Sequence, residues 1–241
     1  MGKRVKYPVP GTSQGEMASP GIAVFHRHAA RYDAWFESDR GRALFESEVR
    51  CLRRLSNRLP RPWLEVGVGT GRFAQALGID VGVDPALRAL RLAARRGVQA
   101  VAALGEALPF PDHAFGTVFV IVTICFADDP EGLLREARRV TSGGGVVLGI
   151  VPAESPWGRF YAAKGRRGHL FYSQARFFSV EGLDGLAQRG GLRLEGATST
   201  LFQGPERQGL RGETPHNGVA PGAGFVALRY CDAAAYNAVG R

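Results

Sequence analysis

Leu64-Glu65-Val66-Gly67-Val68-Gly69-Thr70-Gly71-Arg72-Phe73 joins an apolar run to a helical one through three glycines at alternate positions. Trp63–Val66 reads as a buried strand and 71–77 as a helix, so the glycines form the turn between them. A glycine turn placed there lets a ligand approach backbone atoms that any Cβ would block. The dinucleotide fingerprint G-x-G-x-x-G/A requires a small residue at position 72, where this chain has Arg72. No G-x-x-x-x-G-K-[ST] loop is present, which excludes that class of nucleotide hydrolase. Glu65 stands two residues before the first glycine. A carboxylate there offers a phosphate nothing and suits a cation.

Outward from this turn the chain alternates short apolar runs with helical stretches. Val81–Val83 is a second strand ending at Asp84, 19 residues after Glu65. A carboxylate at that strand end can accept two hydrogen bonds from ribose hydroxyls. Its alternative role is to cap the helix that Pro85 opens, with Leu87, Leu90 and Ala94 on one face and Gly97 at its end. Residues 98–102 form a third strand, and 118–124 form a continuous apolar run of the kind buried on both faces of a parallel sheet. Asp129-Pro130 opens a helix with Leu133, Leu134, Ala137 and Val140 inward, and three glycines at 143–145 turn the chain into a strand over 146–151. A helix over 180–190 and strands over 192–202 and 224–231 follow, the strands separated by a Gly/Pro-rich loop at 204–224. This order predicts an α/β fold with a doubly wound, mostly parallel seven-stranded sheet. An amphipathic helix over 41–59, carrying Leu44, Phe45, Val49, Leu52 and Leu55, belongs to a helical cover that starts at Gly21. Residues 1–20 and 233–241 read as tails, leaving a domain over 21–232.

The 241 residues carry a net charge of +9, with 31 Lys and Arg against 22 Asp and Glu. Residues 1–62 contribute +6, 63–151 contribute −1, and 152–241 contribute +4. All but three of the positive side chains are Arg. The excess therefore lies outside the segment that holds the glycine turn, which weakens a nucleic-acid reading of the charge. No run approaches the ~18 apolar residues of a membrane span, and the N-terminus lacks the apolar core of a signal peptide. Cys51, Cys125 and Cys231 are too few and scattered for a disulfide framework or a metal site. The expectation is a cytoplasmic protein without a metal or a membrane partner.

Taken together, these motifs resemble those of class I S-adenosylmethionine-dependent methyltransferases, in the small prokaryotic branch related to ubiquinone/menaquinone-biosynthesis methyltransferases. Residues 65–71 match the family's first motif, Val83-Asp84-Pro85 its ribose motif, and Gly105-Glu106-Ala107-Leu108-Pro109-Phe110-Pro111-Asp112 its adenine-side loop. Residues 123–130 and 175–179 also resemble stretches of that branch, and the likeness spans about 21–232. The resemblance implies that Gly67, Gly69 and Gly71 line S-adenosylmethionine, that Glu65 orients its ammonium, and that Asp84 holds the ribose. Backbone at Thr123 would accept from the ammonium, and Tyr32 would lie over the cofactor. Trp35 and Phe36 read as packing of the cover. Many relatives place an Asp four residues before the Leu-Pro pair to bond adenine; here that position is Leu104, which leaves Glu106 as the substitute.

On the acceptor side the sequence offers no unmistakable base. His169, His26 and His28 are the candidates, each also readable as a structural histidine. Cys125 follows the fourth strand, where substrates of such folds sit, but reads first as a small buried hydrophobe. Residues 152–178 form an aromatic, cationic insertion in which Lys164, Arg166 and Arg167, flanked by Tyr161, would steer an anionic small molecule or a nucleic acid, and read equally as a solvated loop surface. The expected function is methyl transfer to a small-molecule acceptor. The alternatives are an RNA or DNA methyltransferase, or a cofactor-binding regulatory protein without turnover.

Overall fold

The computed structural model describes residues 19–234. The expected tails fall outside that range except at their inner edges, where Pro20 is already the first residue of helix α1 (Pro20–Trp35). Proline suits this place because the first helical N–H has no partner in the helix. Helix α2 (Asp39–Ser56) follows, with the Ser38 hydroxyl accepting from Gly41 N and Asp39 in the positive first turn. Its buried stripe runs through Leu44, Glu48, Cys51 and Leu52, so the apolar face has a carboxyl in it.

The remaining elements are β1 (Trp63–Val66), α3 (Arg72–Leu77), β2 (Val81–Val83), α4 (Leu87–Arg95), β3 (Gln99–Val101), β4 (Thr117–Ile121) and α5 (Pro130–Arg139). They continue with β5 (Val146–Ile150), α6 (Pro156–Arg166), α7 (Val180–Arg189), β6 (Leu192–Thr200), β7 (His216–Asn217) and β8 (Phe225–Asp232). The strand order is β3-β2-β1-β4-β5-β8-β6-β7. The first five strands pair in parallel, while β8 pairs antiparallel with both β5 and β6. The sheet has eight strands rather than the expected seven. The extra strand, β7, is two residues long, pairs with Thr198 and Ser199, and has no apolar alternation to announce it.

Side-chain alternation sorts the sheet into two faces. Leu64, Val66, Val118, Val120, Val146 and Leu148 pack with α5 and α7, whereas Trp63, Phe119, Ile121 and Val147 pack with α2 and α3. All five residues of β4 and of β5 are buried, as covering on both faces demands. Each fully buried Leu or Val among them contributes about 1.5–3 kcal/mol before entropy is charged.

Three local expectations shift. The fourth strand ends at Ile121, because Val122 turns to φ +49° and Ile124–Phe126 coil into a 3₁₀ turn. In α4 the buried residues are Ala89, Leu90 and Ala93, and Ala94 is exposed. The insertion over 152–178 is largely ordered helix, α6 and a 3₁₀ turn at Tyr172–Gln174, with the Ser155 hydroxyl capping Gly158 N.

Candidate functional site

The strand order reverses between β1 and β4, whose outer neighbours are β2 and β5. In open α/β sheets the crevice beyond the carboxyl ends at such a switch point takes the ligand. A cavity of about 370 Å³ lies there, walled by the glycine turn, Glu65, Asp84, Glu106 and Thr123. The glycines serve different ends. Gly69 has φ +52° and nothing within 4 Å of where a Cβ would stand. At Gly67 a Cβ would strike the Thr123 side chain, whose hydroxyl donates to Gly67 O and Ile121 O. Gly71 is absent from the cavity wall; its missing Cβ makes room for Ala93, drawing α4 against the turn.

Two carboxyls face this turn. Glu65 is 2% exposed, a backbone bond from Ala74 holds it, and its Oε2 has no hydrogen-bond partner among the described residues. Burial, with a smaller contribution from the neighbouring Asp84, pushes its pKa well above the ordinary carboxylate range. Asp84 accepts from Gly69 N at 2.8 Å and from Ala86 N at 2.7 Å, so it holds the turn and caps the helical entry together. Each oxygen keeps a second lone-pair direction. Burial raises Asp84 to about 6 against these two backbone bonds.

Helix α1 roofs the cavity. Tyr32 meets Phe25, Phe36 and Phe171 edge-on at centroid distances of 5.3, 5.5 and 5.4 Å, and Phe25 meets Phe126 at 4.9 Å. An ion-pair network fastens this roof to the turn. Asp33 receives two bonds from Arg72 and one from Arg96, each 2.8 Å, and Arg96 also donates to Thr70 O. Arg72, which breaks the dinucleotide fingerprint, is thus the residue that locks the cover.

A methyltransferase domain model matches residues 64–149, the segment from β1 through β5. An uncharacterized protein of Mycobacterium tuberculosis is 43% identical over 216 residues, 89% of this chain and 76% of that protein. A solved Thermotoga maritima structure, described as a SAM-dependent methyltransferase and possible histamine N-methyltransferase, is 36% identical with a TM-score of 0.80. The match covers 87% of this chain and 99% of that one. The chain belongs to the S-adenosylmethionine-dependent methyltransferase family. Over a shorter stretch, 52% of this chain and 45% of the relative, it is 33% identical to a malonyl-[acyl-carrier protein] O-methyltransferase of Halorhodospira halophila.

The cofactor of this methyltransferase is S-adenosylmethionine, and the residues present fit it. A buried carboxylate oxygen without a donor suits a cationic ligand, and the open space beyond Gly69 admits one against the backbone. Leu104 is 46% exposed where it borders the cavity, while Glu106 lines it and its Oε1 lies 3.5 Å from Asp129 N.

The acceptor-side candidates are placed unevenly. His26 and His28 are half-buried on α1, His28 at a kink, and neither lines the cavity. His169 stacks on Tyr172 at 4.5 Å, and its Nδ1 lies 3.4 Å from the N–H groups of Phe171 and Tyr172, holding the 3₁₀ turn. Burial, then Lys164 and Arg31, lower its pKa. Burial pushes the Cys125 thiol up to about 12, and Cys125 does not line the cavity. Lys164 lies over the Phe160 ring, and Arg166 and Arg167 are exposed at the end of α6; none of the three lines the cavity. Tyr161 is buried and pairs with Tyr172 at 4.4 Å. Trp35 packs edge-on to Phe36 outside the cavity wall. The residues that sequence reasoning passed over are Phe25, Phe126 and Asp33, whose roles arise from tertiary contacts that no local spacing announces.

Proposed function

We propose that the protein transfers a methyl group to a small-molecule acceptor held beneath α1. The observation that supports this most is the unpartnered Glu65 Oε2 inside a cavity roofed by aromatic rings. In this reading Glu65 takes the ammonium of S-adenosylmethionine, Gly67 and Gly69 let it lie against the backbone, and Asp84 takes the ribose hydroxyls. Thr123 backbone accepts from the ammonium, Glu106 borders the adenine, and Tyr32 covers the reacting end. Bound there, the cofactor supplies a methyl group on a sulfonium, already a strong electrophile. The chain then has to position the acceptor, exclude water and accept a proton if the acceptor carries one. The roof of Phe25, Tyr32 and Phe36 excludes water and presents aromatic faces to positive charge.

A roofed cavity favours a small acceptor over a polymer, which would need an open face. The exposed Arg166 and Arg167 stand outside that wall and add nothing specific for nucleic acid. Calorimetric titration with S-adenosylmethionine and S-adenosylhomocysteine tests the cofactor half, and micromolar binding of both is expected. Methyl transfer from labelled cofactor to a metabolite panel, against tRNA and duplex DNA, tests the acceptor half. Transfer to nucleic acid alone, with steeply salt-dependent affinity, overturns it.

A further inference from the structure

We propose that Phe25 is the specificity-determining residue of the acceptor side. Its ring sets the largest group that fits against the reacting end of the cofactor, and Phe171 of the 152–178 insertion holds it in place. This deepens the reading of the cavity as a methyl-transfer site and rests on it.

The cavity wall has two ends of different chemistry. Glu65, Asp84, Glu106 and Thr123 stand at or just beyond the carboxyl ends of β1, β2, β3 and β4, where the polar groups of the cofactor account for them. Ile22, Phe25 and Tyr32 come from α1, and Phe126 meets them from the 3₁₀ turn after β4. Phe25 is the node of this apolar end. Its ring stands 4.9 Å from Phe126 and 5.3 Å from Tyr32, both edge-on, and 5.3 Å from Phe171 at a tilt of 31°. Phe25 is half-buried and lines the cavity, whereas Phe171 is buried and does not. None of residues 152–178 lines it. The aromatic contact of the insertion with the wall runs from Phe171 to Phe25 and Tyr32.

Those two wall rings are held differently, and the difference lies in the backbone of α1. His28 leaves helical geometry at φ −116°, ψ 23°, which divides the helix into a first part carrying Phe25 and a second carrying Tyr32. Asp33 ties the second part to Arg72 and Arg96 beside the glycine turn. The first part makes no hydrogen bond or ion pair to another described element; Arg27 donates only to Ala23 O in the same helix. Packing alone seats it, Phe25 lying against its three rings and against Ala29, Ala86 and Ala89 where α1 meets α4. A ring seated this way yields to a larger neighbour at the cost of dispersion contacts, with no buried polar group left unpaired. Tyr32 is the fixed wall, and Phe25 is the wall that reads size.

The transferred methyl group leaves sulfur in line with the acceptor, so whatever borders that line limits what either partner can carry. With Tyr32 over the reacting end, Phe25 is the ring beside it on the cavity wall. Phe25→Ala removes that ring and leaves a hollow bounded by Phe126, Tyr32 and Phe171 and continuous with the cavity. Phe171 is a positioning residue, which acts on the cavity by keeping Phe25 from swinging back.

The test lets the cofactor report the space beside its own sulfur, so the acceptor need not be known. S-adenosylmethionine and the analogue carrying a benzyl group in place of methyl are titrated calorimetrically into the native protein, Phe25→Leu and Phe25→Ala. The native protein should bind the benzyl analogue roughly ten-fold or more weakly than S-adenosylmethionine, the cost of overpacking. Phe25→Ala should bind the benzyl analogue about ten-fold tighter than the native protein does, with Phe25→Leu between them. Structural damage weakens both ligands, so a gain for the larger one separates a size gate from a packing residue. Phe171→Ala should also improve benzyl binding, yet add nothing in the Phe25→Ala background. Equal native affinity for the two ligands, or no gain in Phe25→Ala, overturns the proposal, and a gain from Phe171→Ala that persists in the double variant overturns the role of Phe171. Failure of both S-adenosylmethionine and S-adenosylhomocysteine to bind the native protein instead overturns the methyl-transfer reading beneath it.

Discussion

Asp33 and Arg72 form a two-point ion pair, Nε to Oδ1 and Nη2 to Oδ2, both at 2.8 Å, which ties the roof helix to the residue after the glycine turn. Both side chains are less than one-fifth exposed, so water does little to screen the pair. Arg96 adds a third bond to Asp33 and a fourth to Thr70 O, making the cover and the turn one rigid unit.

Asp33→Ala should therefore lower stability by about 2–3 kcal/mol, because two largely buried guanidiniums lose their shared carboxylate and keep only Glu37, for Arg72, and Thr70 O, for Arg96, as charged or polar partners. Burial works to raise the Asp33 pKa, but bonds from Arg72, Thr70 and Arg96 outweigh it and hold the group at about 2. A lowered folded-state pKa gives stability that is present above the unfolded value near 4 and lost as pH falls toward 2. The stability gap between native protein and Asp33→Asn in urea should accordingly shrink between pH 5 and pH 3. A gap that stays constant would show the pair contributes nothing through charge.

Gly69 and Gly71 separate two kinds of glycine that one motif presents alike. Gly69→Ala puts a methyl group into open cavity space at φ +52°, a strain of about 1–2 kcal/mol. Gly71→Ala drives a Cβ to 2.7 Å from Ala93 Cα, where backbone must move. The expected outcome is a crossed pattern. Gly69→Ala loses S-adenosylhomocysteine affinity by more than ten-fold while melting cooperatively, whereas Gly71→Ala loses so much stability that little folded protein remains. Calorimetry and thermal melts on the two variants read this directly.

What the chain revealed before its structure follows from how locally each feature is determined. The glycine turn, the strand-end Asp84 and the Asp129 cap act within a few residues, and the structure has them where spacing put them. The fourth strand ends three residues before its apolar run does, because Val122 and Thr123 are β-branched and yet bend to meet Gly67. Ala93 displaced Ala94 because helix rotation is set by the contact with Gly71, 22 residues earlier. The roof was unreadable beyond Tyr32, since Phe25 and Phe126 meet only through tertiary packing. Glu48 was visible as an acid among Leu44, Val49 and Leu52, but an acid in an amphipathic helix reads as solvated until its burial is known.

Glu65→Gln tests whether the unpartnered Oε2 of a buried carboxyl is kept for a ligand. Burial and the field of Asp84 raise its pKa well above the ordinary value, so the folded protein loses stability as pH rises from about 4.5 toward that value. The amide, which does not ionise, should make the protein at least as stable as the native one at pH 8. It should also weaken S-adenosylhomocysteine roughly 10- to 100-fold, the worth of a charged hydrogen bond. Stability and affinity moving in opposite directions is the expected result. A variant that binds as tightly as the native protein would remove Glu65 from the site.

Asp84 sets a pH limit on binding that can be isolated in the same background. Its folded-state pKa of about 6 reflects burial working against two backbone N–H donors. Ribose hydroxyls donate to the carboxylate and lose that acceptor when it is protonated, so cofactor affinity should rise with pH through about 6. In Glu65→Gln, where the neighbouring carboxyl no longer titrates, the remaining dependence belongs to Asp84. Calorimetric S-adenosylhomocysteine affinity should there fall by up to ten-fold per pH unit below 6 and level off above it. Adding Asp84→Asn should flatten the profile at the weak end. A profile that keeps its slope in the double variant would assign the proton to another group and leave Asp84 as the clamp that joins Gly69 N to Ala86 N.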